Sequence, residues 1–339
     1  MPGGSTETMR AAFFEGYQCI TVREAPRPEP DRGEVRLRVL ACGICGSDVT
    51  CYKTGVLAGL DVILGHEVSA VVDVDPTGEW PTGARVTFFP SGFGCGQCVW
   101  CREGNYRYCL NPPDRRPGGG FAEYLLAPSA DLIALPDEID DRTAAAAEPL
   151  GVAVRAVDLA SLNPGDLAYV SGLGSVGLFT VSALMAAGCR VAGGDPREER
   201  RTLGLELGCE EVFDPTLRDP MSTTLTLEPH GPRAAFECAG VPESLQQVFD
   251  ACGPSGVVGI LGIPMAPVFL LRMTLKEQRA FSIQGPTRES MRRALALMRE
   301  RPEVSKVITH TVPLEQADQA FARLAAGDGG VKVLLEPGA

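Results

Sequence analysis

The chain has 339 residues, 45% hydrophobic and 22% charged, an ordinary globular composition that argues against a disordered chain. Its formal net charge of −12 makes it a poor general nucleic-acid or anionic-membrane binder and leaves a small molecule as the expected partner. The length predicts about two domains.

No stretch is long and apolar enough to read as a membrane span, and the start Met-Pro-Gly-Gly-Ser lacks the basic, then apolar, run of a signal peptide. The expected compartment is the cytoplasm. Twelve cysteines in a cytoplasmic chain point to metal or catalysis rather than to disulfides. With only three histidines (His66, His230 and His310), a site built from several His ligands is disfavoured.

In chain order, the first part reads as strand-rich. Val35–Leu40, Val68–Val74 and Arg85–Phe89 are short β-branched or apolar runs bounded by Gly, Pro and Asp. Residues 91–117 read as a loop carrying Cys95, Cys98, Cys101 and Cys109. Four thiolates at this spacing enclose one tetrahedral Zn²⁺ and leave no position for water, so the site is structural: it folds a loop with little core of its own. An iron–sulfur cluster is the competing reading of the same sulfurs. Thr143–Ala147 starts a helix, followed by Glu148 and Pro149.

From about Asp166 strands alternate with helices. The strands are Leu167–Gly172, Arg190–Asp195, Glu211–Phe213, Ala234–Ala239, Val257–Ile263 and Phe281–Gln284, with helices at Ser175–Ala187 and Arg197–Leu207. This alternation predicts a parallel sheet with right-handed crossovers. The tail offers helices Ser290–Glu300 and Glu315–Ala326 and a final strand Val331–Leu335.

Gly172-Leu-Gly174-Ser175-Val176-Gly177 matches G-x-G-x-x-G between a strand and a helix, the context that dinucleotide binding requires. Its glycines allow a tight turn, backbone approach to a pyrophosphate and close helix packing, and the helix N-terminus supplies N–H groups to the phosphates. Asp195 ends the next strand about 20 residues on, where a carboxylate accepts the adenosine ribose hydroxyls. That favours NAD over NADP. Arg197, Arg200 and Arg201 nearby could meet a 2′-phosphate, which Asp195 would repel.

Cys45-Gly-Ser47-Asp48, Gly65-His66-Glu67 and Glu148-Pro149 supply further zinc-type ligands, and three of them would leave one position open for chemistry. Taken singly, a lone His in a glycine turn is structural and a lone Cys is a small buried hydrophobe. Cys42-x-x-Cys45 could suggest redox work, but the context of a thioredoxin-like motif is missing.

Together with Gly43-Ile-Cys45, Gly119-Gly-Phe-Ala-Glu-Tyr124, Glu148-Pro-Leu150 and the two loops above, the chain resembles the zinc-dependent medium-chain alcohol/polyol dehydrogenases over nearly its whole length, with the Glu-Pro-Leu element closest to the sorbitol-dehydrogenase-like branch. The resemblance implies an α/β protein in which a doubly wound Rossmann domain, residues 149–291, interrupts a β-rich GroES-like catalytic domain, residues 1–148 and 292–339, with a zinc lobe at 91–117. It implies two Zn²⁺ per chain, the catalytic one held by Cys45, His66 and Glu67, with Glu148 as a further or water-mediated ligand. Glu67 and Glu148 exchange roles in this family and are not ranked. It implies a homodimer or homotetramer, with an edge strand near Val257–Ile263 or the cysteine lobe supplying contacts. It also implies oxidation of a secondary alcohol of a polyol, sugar, cyclitol or amino-sugar to a ketone, the amino-sugar case being one met in antibiotic biosynthesis. Ser47 would take the hydroxyl proton. Thr50 stands where many relatives carry a relay His, so the proton route departs from the family's pattern there. The alternatives are a short-chain alcohol dehydrogenase, a zinc-independent quinone or enone reductase, and a catalytically silent binding protein.

Overall fold

The structure is a computed structural model that describes residues 7–338 except 57, 91–93, 96, 104–107 and 112–118. The chain divides into two compact units, one formed by residues 1–148 and 308–339 and the other by 149–307.

The first unit opens with a hairpin, β1 (Thr8–Gly16) and β2 (Cys19–Pro26), that the sequence reading did not anticipate. β3 (Glu34–Gly43) leads through Cys45 into α1 (Gly46–Thr54). Two-residue β4 (Val62–Ile63) then pairs with β1, and β5 (Glu67–Val74), β6 (Arg85–Phe88), short α2 (Val99–Arg102), β7 (Tyr124–Pro128), β8 (Leu132–Ala134) and α3 (Asp141–Ala145) follow. β3 alternates in the way a half-buried strand must: Val35, Leu37 and Val39 point into the core, and after an irregularity between Val39 and Ala41 the core side passes to Cys42 while Ala41 packs with Ala145 and Leu334. It pairs antiparallel with β5, and the register sets Gly43 opposite Glu67.

The second unit is built from α4 (Ala147–Ala160, which starts in the first unit), β9 (Leu167–Ser171), α5 (Ser175–Ala186), β10 (Arg190–Gly194), α6 (Glu198–Glu206), β11 (Glu211–Phe213), α7 (Pro220–Leu227), β12 (Ala234–Glu237), α8 (Pro242–Ala251), β13 (Val257–Ile260), α9 (Leu271–Leu275), β14 (Arg279–Ser282) and α10 (Arg288–Glu300). Its six strands are all parallel, in the order β11-β10-β9-β12-β13-β14. β9 is buried at every position, as a central parallel strand requires. The chain winds from β9 to β10 and β11 on one side and to β12, β13 and β14 on the other. The strand order therefore reverses at β9, and the Gly172–Gly177 loop leaves its carboxyl end at that switch point.

The chain then returns to the first unit as β15 (Ile308–Pro313), α11 (Ala317–Ala326) and β16 (Lys332–Glu336). β16 pairs antiparallel with β3, setting Leu334 beside Gly43 and Leu335 beside Cys42. Phe321 of α11 enters the same core, its ring 5.7 Å from Phe121 and 5.5 Å from Tyr52.

Several expected boundaries move. The strand expected at Ala234–Ala239 stops at Glu237 because the Glu237 carboxylate folds over to accept the amides of Ala239 (2.9 Å) and Gly240 (2.7 Å). The strand expected at Val257–Ile263 stops at Ile260, since the amides of Leu261 and Gly262 turn to the Glu237 carbonyl. That strand lies inside the sheet, and the edges are β11 and β14. The expected domain boundary at residue 292 falls within α10: the second unit runs on to Val307, and α10 packs Met291 against Gly151 at the start of α4.

Candidate metal centres and coenzyme loop

Ligand atoms of Cys45, His66 and Glu67 lie within 4.8 Å of one another. Two strands and a helix bring them together: Cys45 caps α1 just beyond β3, and His66 and Glu67 stand at the start of β5, which β3 holds in register. The register requires glycine at 43, because a Cβ there would lie 2.0 Å from Glu67 Oε2.

Asp48, which the sequence reading placed in a motif without a role, is buried beside this group. One of its oxygens accepts the Cys45 amide at 3.0 Å, and the other lies 3.9 Å from His66 Nδ1. At 3.9 Å the contact is electrostatic rather than a hydrogen bond, and the carboxylate charge raises the basicity of the ring. Burial opposes charge on His66, but Asp48, Cys45 and Glu148 outweigh it and push the imidazole well up. Burial likewise pushes Asp48 up. The charge of buried Glu148 acts on both His66 and Lys332, which places it in the same electrostatic environment.

Lys332 was not singled out from the sequence. Its Nζ donates to both Glu67 oxygens, at 2.8 and 2.7 Å, and to the Ile44 carbonyl at 3.0 Å. Burial works against its charge, yet the Glu67 carboxylate beside it keeps it raised. Ser47 and Thr50 lie on α1, both half-buried. The Thr50 hydroxyl donates to the Gly46 carbonyl at 2.9 Å, so its proton is already committed to its own helix. Cys42 is fully buried, and burial drives its thiol well above the ordinary range.

The sulfurs of Cys95, Cys98, Cys101 and Cys109 also lie within 4.8 Å of one another, the cluster expected of a Cys₄ site, where tetrahedral Zn–S bonds set sulfurs about 3.7 Å apart. Main-chain amides point at them: Cys95 N lies 3.1 Å from Cys109 Sγ, Cys98 N 3.4 Å from Cys95 Sγ and Asn111 N 3.4 Å from Cys109 Sγ. The amides of Leu110 and Cys101 pull the Cys98 thiol down to about 6, which favours the thiolate that a metal needs. This donor set fits zinc. The rest of the expected lobe, residues 91–93, 96, 104–107 and 112–117, lies outside the described residues.

In the second unit, Gly172 has φ +90°, and a Cβ there would sit 2.6 Å from the Ala239 amide. Gly174, Ser175 and Val176 open α5. Gly174 precedes the helix with no side chain capping it, so its first N–H groups stay available to an anion. Gly177 lies against the Gly172 carbonyl and admits no side chain. Asp195 follows β10, and its carboxylate accepts the amides of Leu173 and Arg197, each at 2.9 Å, with Arg200 3.5 Å away. Arg201 donates to the carbonyls of Asp195 and Pro196.

Comparison with known proteins agrees with these two units. Residues 31–137 match the alcohol dehydrogenase GroES-like domain and residues 175–300 the zinc-binding dehydrogenase family. The chain is 31% identical over 339 residues to L-threonine 3-dehydrogenase of Bacillus subtilis, covering 95% of this chain and 96% of that one. It belongs to the zinc-dependent medium-chain dehydrogenase family. It is also 29% identical over 335 residues to sorbitol dehydrogenase of Halalkalibacterium halodurans, covering 95% and 97% of the two chains. A Sinorhizobium meliloti protein described as a zinc-binding dehydrogenase and solved bound to NADP superposes with a TM-score of 0.88 at 29% identity, over 98% of this chain and all of that one. This member of the family is accordingly an α/β dehydrogenase acting on CH–OH groups, with a Rossmann unit and a GroES-like unit. None of these relatives carries the expectation of antibiotic biosynthesis. No helix among the described residues is long and apolar enough to cross a membrane.

Proposed function

We propose that this dehydrogenase oxidises a secondary alcohol with a neighbouring polar group to a ketone, with NAD as acceptor, and that Cys45, His66 and one of Glu67 and Glu148 hold its catalytic zinc. The observation that carries this reading is the convergence of Cys45, His66 and Glu67 beside Asp48 and Lys332. A second zinc is assigned to Cys95, Cys98, Cys101 and Cys109, and fits by donor type.

Zinc at the first site supplies Lewis acidity that eases loss of the hydroxyl proton, and the nicotinamide accepts the hydride. The protein's part is to place and discharge the substrate. Asp48 raises the basicity of His66 by its charge. Ser47 Oγ would accept the hydroxyl proton while giving up its own towards the nicotinamide ribose. Thr50 cannot hold that proton as a base, so the route leads to water. On the coenzyme side, the N–H groups of Gly174, Ser175 and Val176 receive the phosphates and Asp195 the ribose. Arg200 and Arg201 are turned onto Asp195 and main-chain carbonyls, which supports NAD over NADP.

The names of the relatives, sorbitol and threonine dehydrogenases, support a hydroxyl flanked by another hydroxyl or by an amine. This covers polyols, sugars, cyclitols and amino-sugars. The β14 edge, and separately the exposed Met265 (89%) and Phe269 (72%) between β13 and α9, support assembly with a second copy of the chain.

The test is zinc per chain in wild type and Cys45→Ser, with NADH formation over a panel of polyols, amino-alcohols and short alcohols. Two zincs falling to one, with turnover lost, is the expected result. A single zinc retained in Cys45→Ser overturns the catalytic assignment, and turnover confined to short alcohols overturns the substrate class.

A further inference from the structure

Glu67 is fully buried, and its carboxylate meets charge on two sides: the candidate metal position shared with Cys45 and His66, and the Lys332 ammonium. Lys332 is 1% exposed, and its three N–H groups are all used, two on Glu67 and one on the Ile44 carbonyl. Gly43 closes the remaining side at a distance that admits no side chain. The carboxylate is thus fixed by protein alone, before any metal is considered. A carboxylate oxygen that accepts from an ammonium has a lone pair left for a cation, but it is aimed by the lysine and is a weaker donor to the metal. Without the ammonium, the same buried charge would have only the metal to turn to.

We propose, resting on the metal reading above, that Lys332 is the positioning residue for Glu67: it draws the carboxylate back so that a metal position stays open to substrate. Lys332 also cancels the charge of Glu67. One carboxylate charge fewer then opposes a deprotonated alcohol at the site.

The test compares Lys332→Met, which keeps length but removes all donors, with Lys332→Arg. Zinc content, zinc release to a chelator, the absorption spectrum of the cobalt-substituted enzyme, NADH binding, kcat and KM are measured. For Lys332→Met the expected result is zinc content unchanged, slower zinc release, a shifted cobalt spectrum and a kcat lower by about 10- to 100-fold, with NADH binding at its wild-type value. Lys332→Arg restores the wild-type spectrum and most of kcat. A folded Lys332→Met enzyme with wild-type spectrum, zinc release and kcat overturns the proposal.

If Lys332→Met does not fold, Lys332→Met/Glu67→Gln leaves no uncompensated charge and is compared with Glu67→Gln alone. The two should release zinc at the same rate, and a further change caused by the lysine substitution overturns the proposal. Loss of the proposed function is seen separately: zinc in Cys45→Ser tests the site itself, and the lysine variants test only how the site is held.

Discussion

The carboxylate of Asp195 accepts the main-chain amide of Leu173, at the heart of the glycine loop, at 2.9 Å. One side chain therefore ties the end of β10 to the turn after β9 and, through its other oxygen, to the amide of Arg197. The residue assigned to read the ribose also shapes the loop assigned to bind the phosphates.

Asp195→Asn tests both roles. An asparagine offers one acceptor where two amides need one each, so one buried amide faces an NH₂ group. Stability is expected to fall by about 1–3 kcal/mol and KM for NAD to rise about tenfold, while KM for NADP improves. Steady-state kinetics with both coenzymes, together with thermal unfolding, checks this. An unchanged NAD/NADP ratio rules out Asp195 as the ribose reader.

Gly43→Ala is expected to displace Glu67, because its Cβ would lie 2.0 Å from Oε2. Such overpacking costs about 1–3 kcal/mol. Release of zinc to a chelator should be altered at the Cys45 site and unchanged at the four-cysteine site. Equal loss from both would mean that the whole unit unfolds.

Ser47→Ala should lower alcohol oxidation by about 10²-fold with zinc content intact, the usual size of a lost proton acceptor. The wild-type profile of kcat/KM against pH should lack a relay step near pH 6.5, and Thr50→His should introduce one. A Thr50→His profile identical to wild type would remove position 50 from the proton route.

The start of α3 gives a pH-dependent stability. Asp140 caps it, accepting the amides of Arg142 and Thr143 at 3.0 Å and the Thr143 hydroxyl at 2.6 Å. Burial raises its carboxyl, but the hydrogen bonds from Thr143 and Arg142 outweigh this and hold it below the usual range. A depressed carboxyl contributes stability above its unfolded pKa of about 3.9 and loses it as pH falls through the lower folded value. Asp140→Ala should therefore cost about 1 kcal/mol at pH 7, and the difference should close on acidification. Denaturant titrations of both proteins at several pH values read this directly.

Much of the site was legible because its signals are local. The glycine loop, the four cysteines and the Cys45 and His66–Glu67 pieces each fall within a few residues, so spacing alone points to the chemistry. Asp48 was visible beside Ser47, but its role depends on where β5 places His66. Lys332 had no local signal: a single lysine in a final strand reads as solvated, and only the pairing of β16 with β3 buries it on Glu67. The β1–β2 hairpin was missed because its short link at Tyr17–Gln18 lacks the usual two-residue Asn-Gly or Gly-Asn signature. Strand ends at Glu237 and Ile260 were set by one carboxylate and its carbonyl, which no periodicity reveals.

Glu67 and Lys332 stand 265 positions apart, and the whole second unit lies between them in the chain. On the ribosome, Cys45, His66 and Glu67 emerge early, whereas the cation that neutralises Glu67 comes almost last. Until then the carboxylate lacks the lysine that holds it, so this centre takes its final form only near release of the chain. The four-cysteine cluster spans Cys95 to Cys109 and carries no such delay. In nascent chains halted before residue 332 the cysteine cluster is complete while Glu67 still lacks its lysine, which gives the two centres a fixed order of completion.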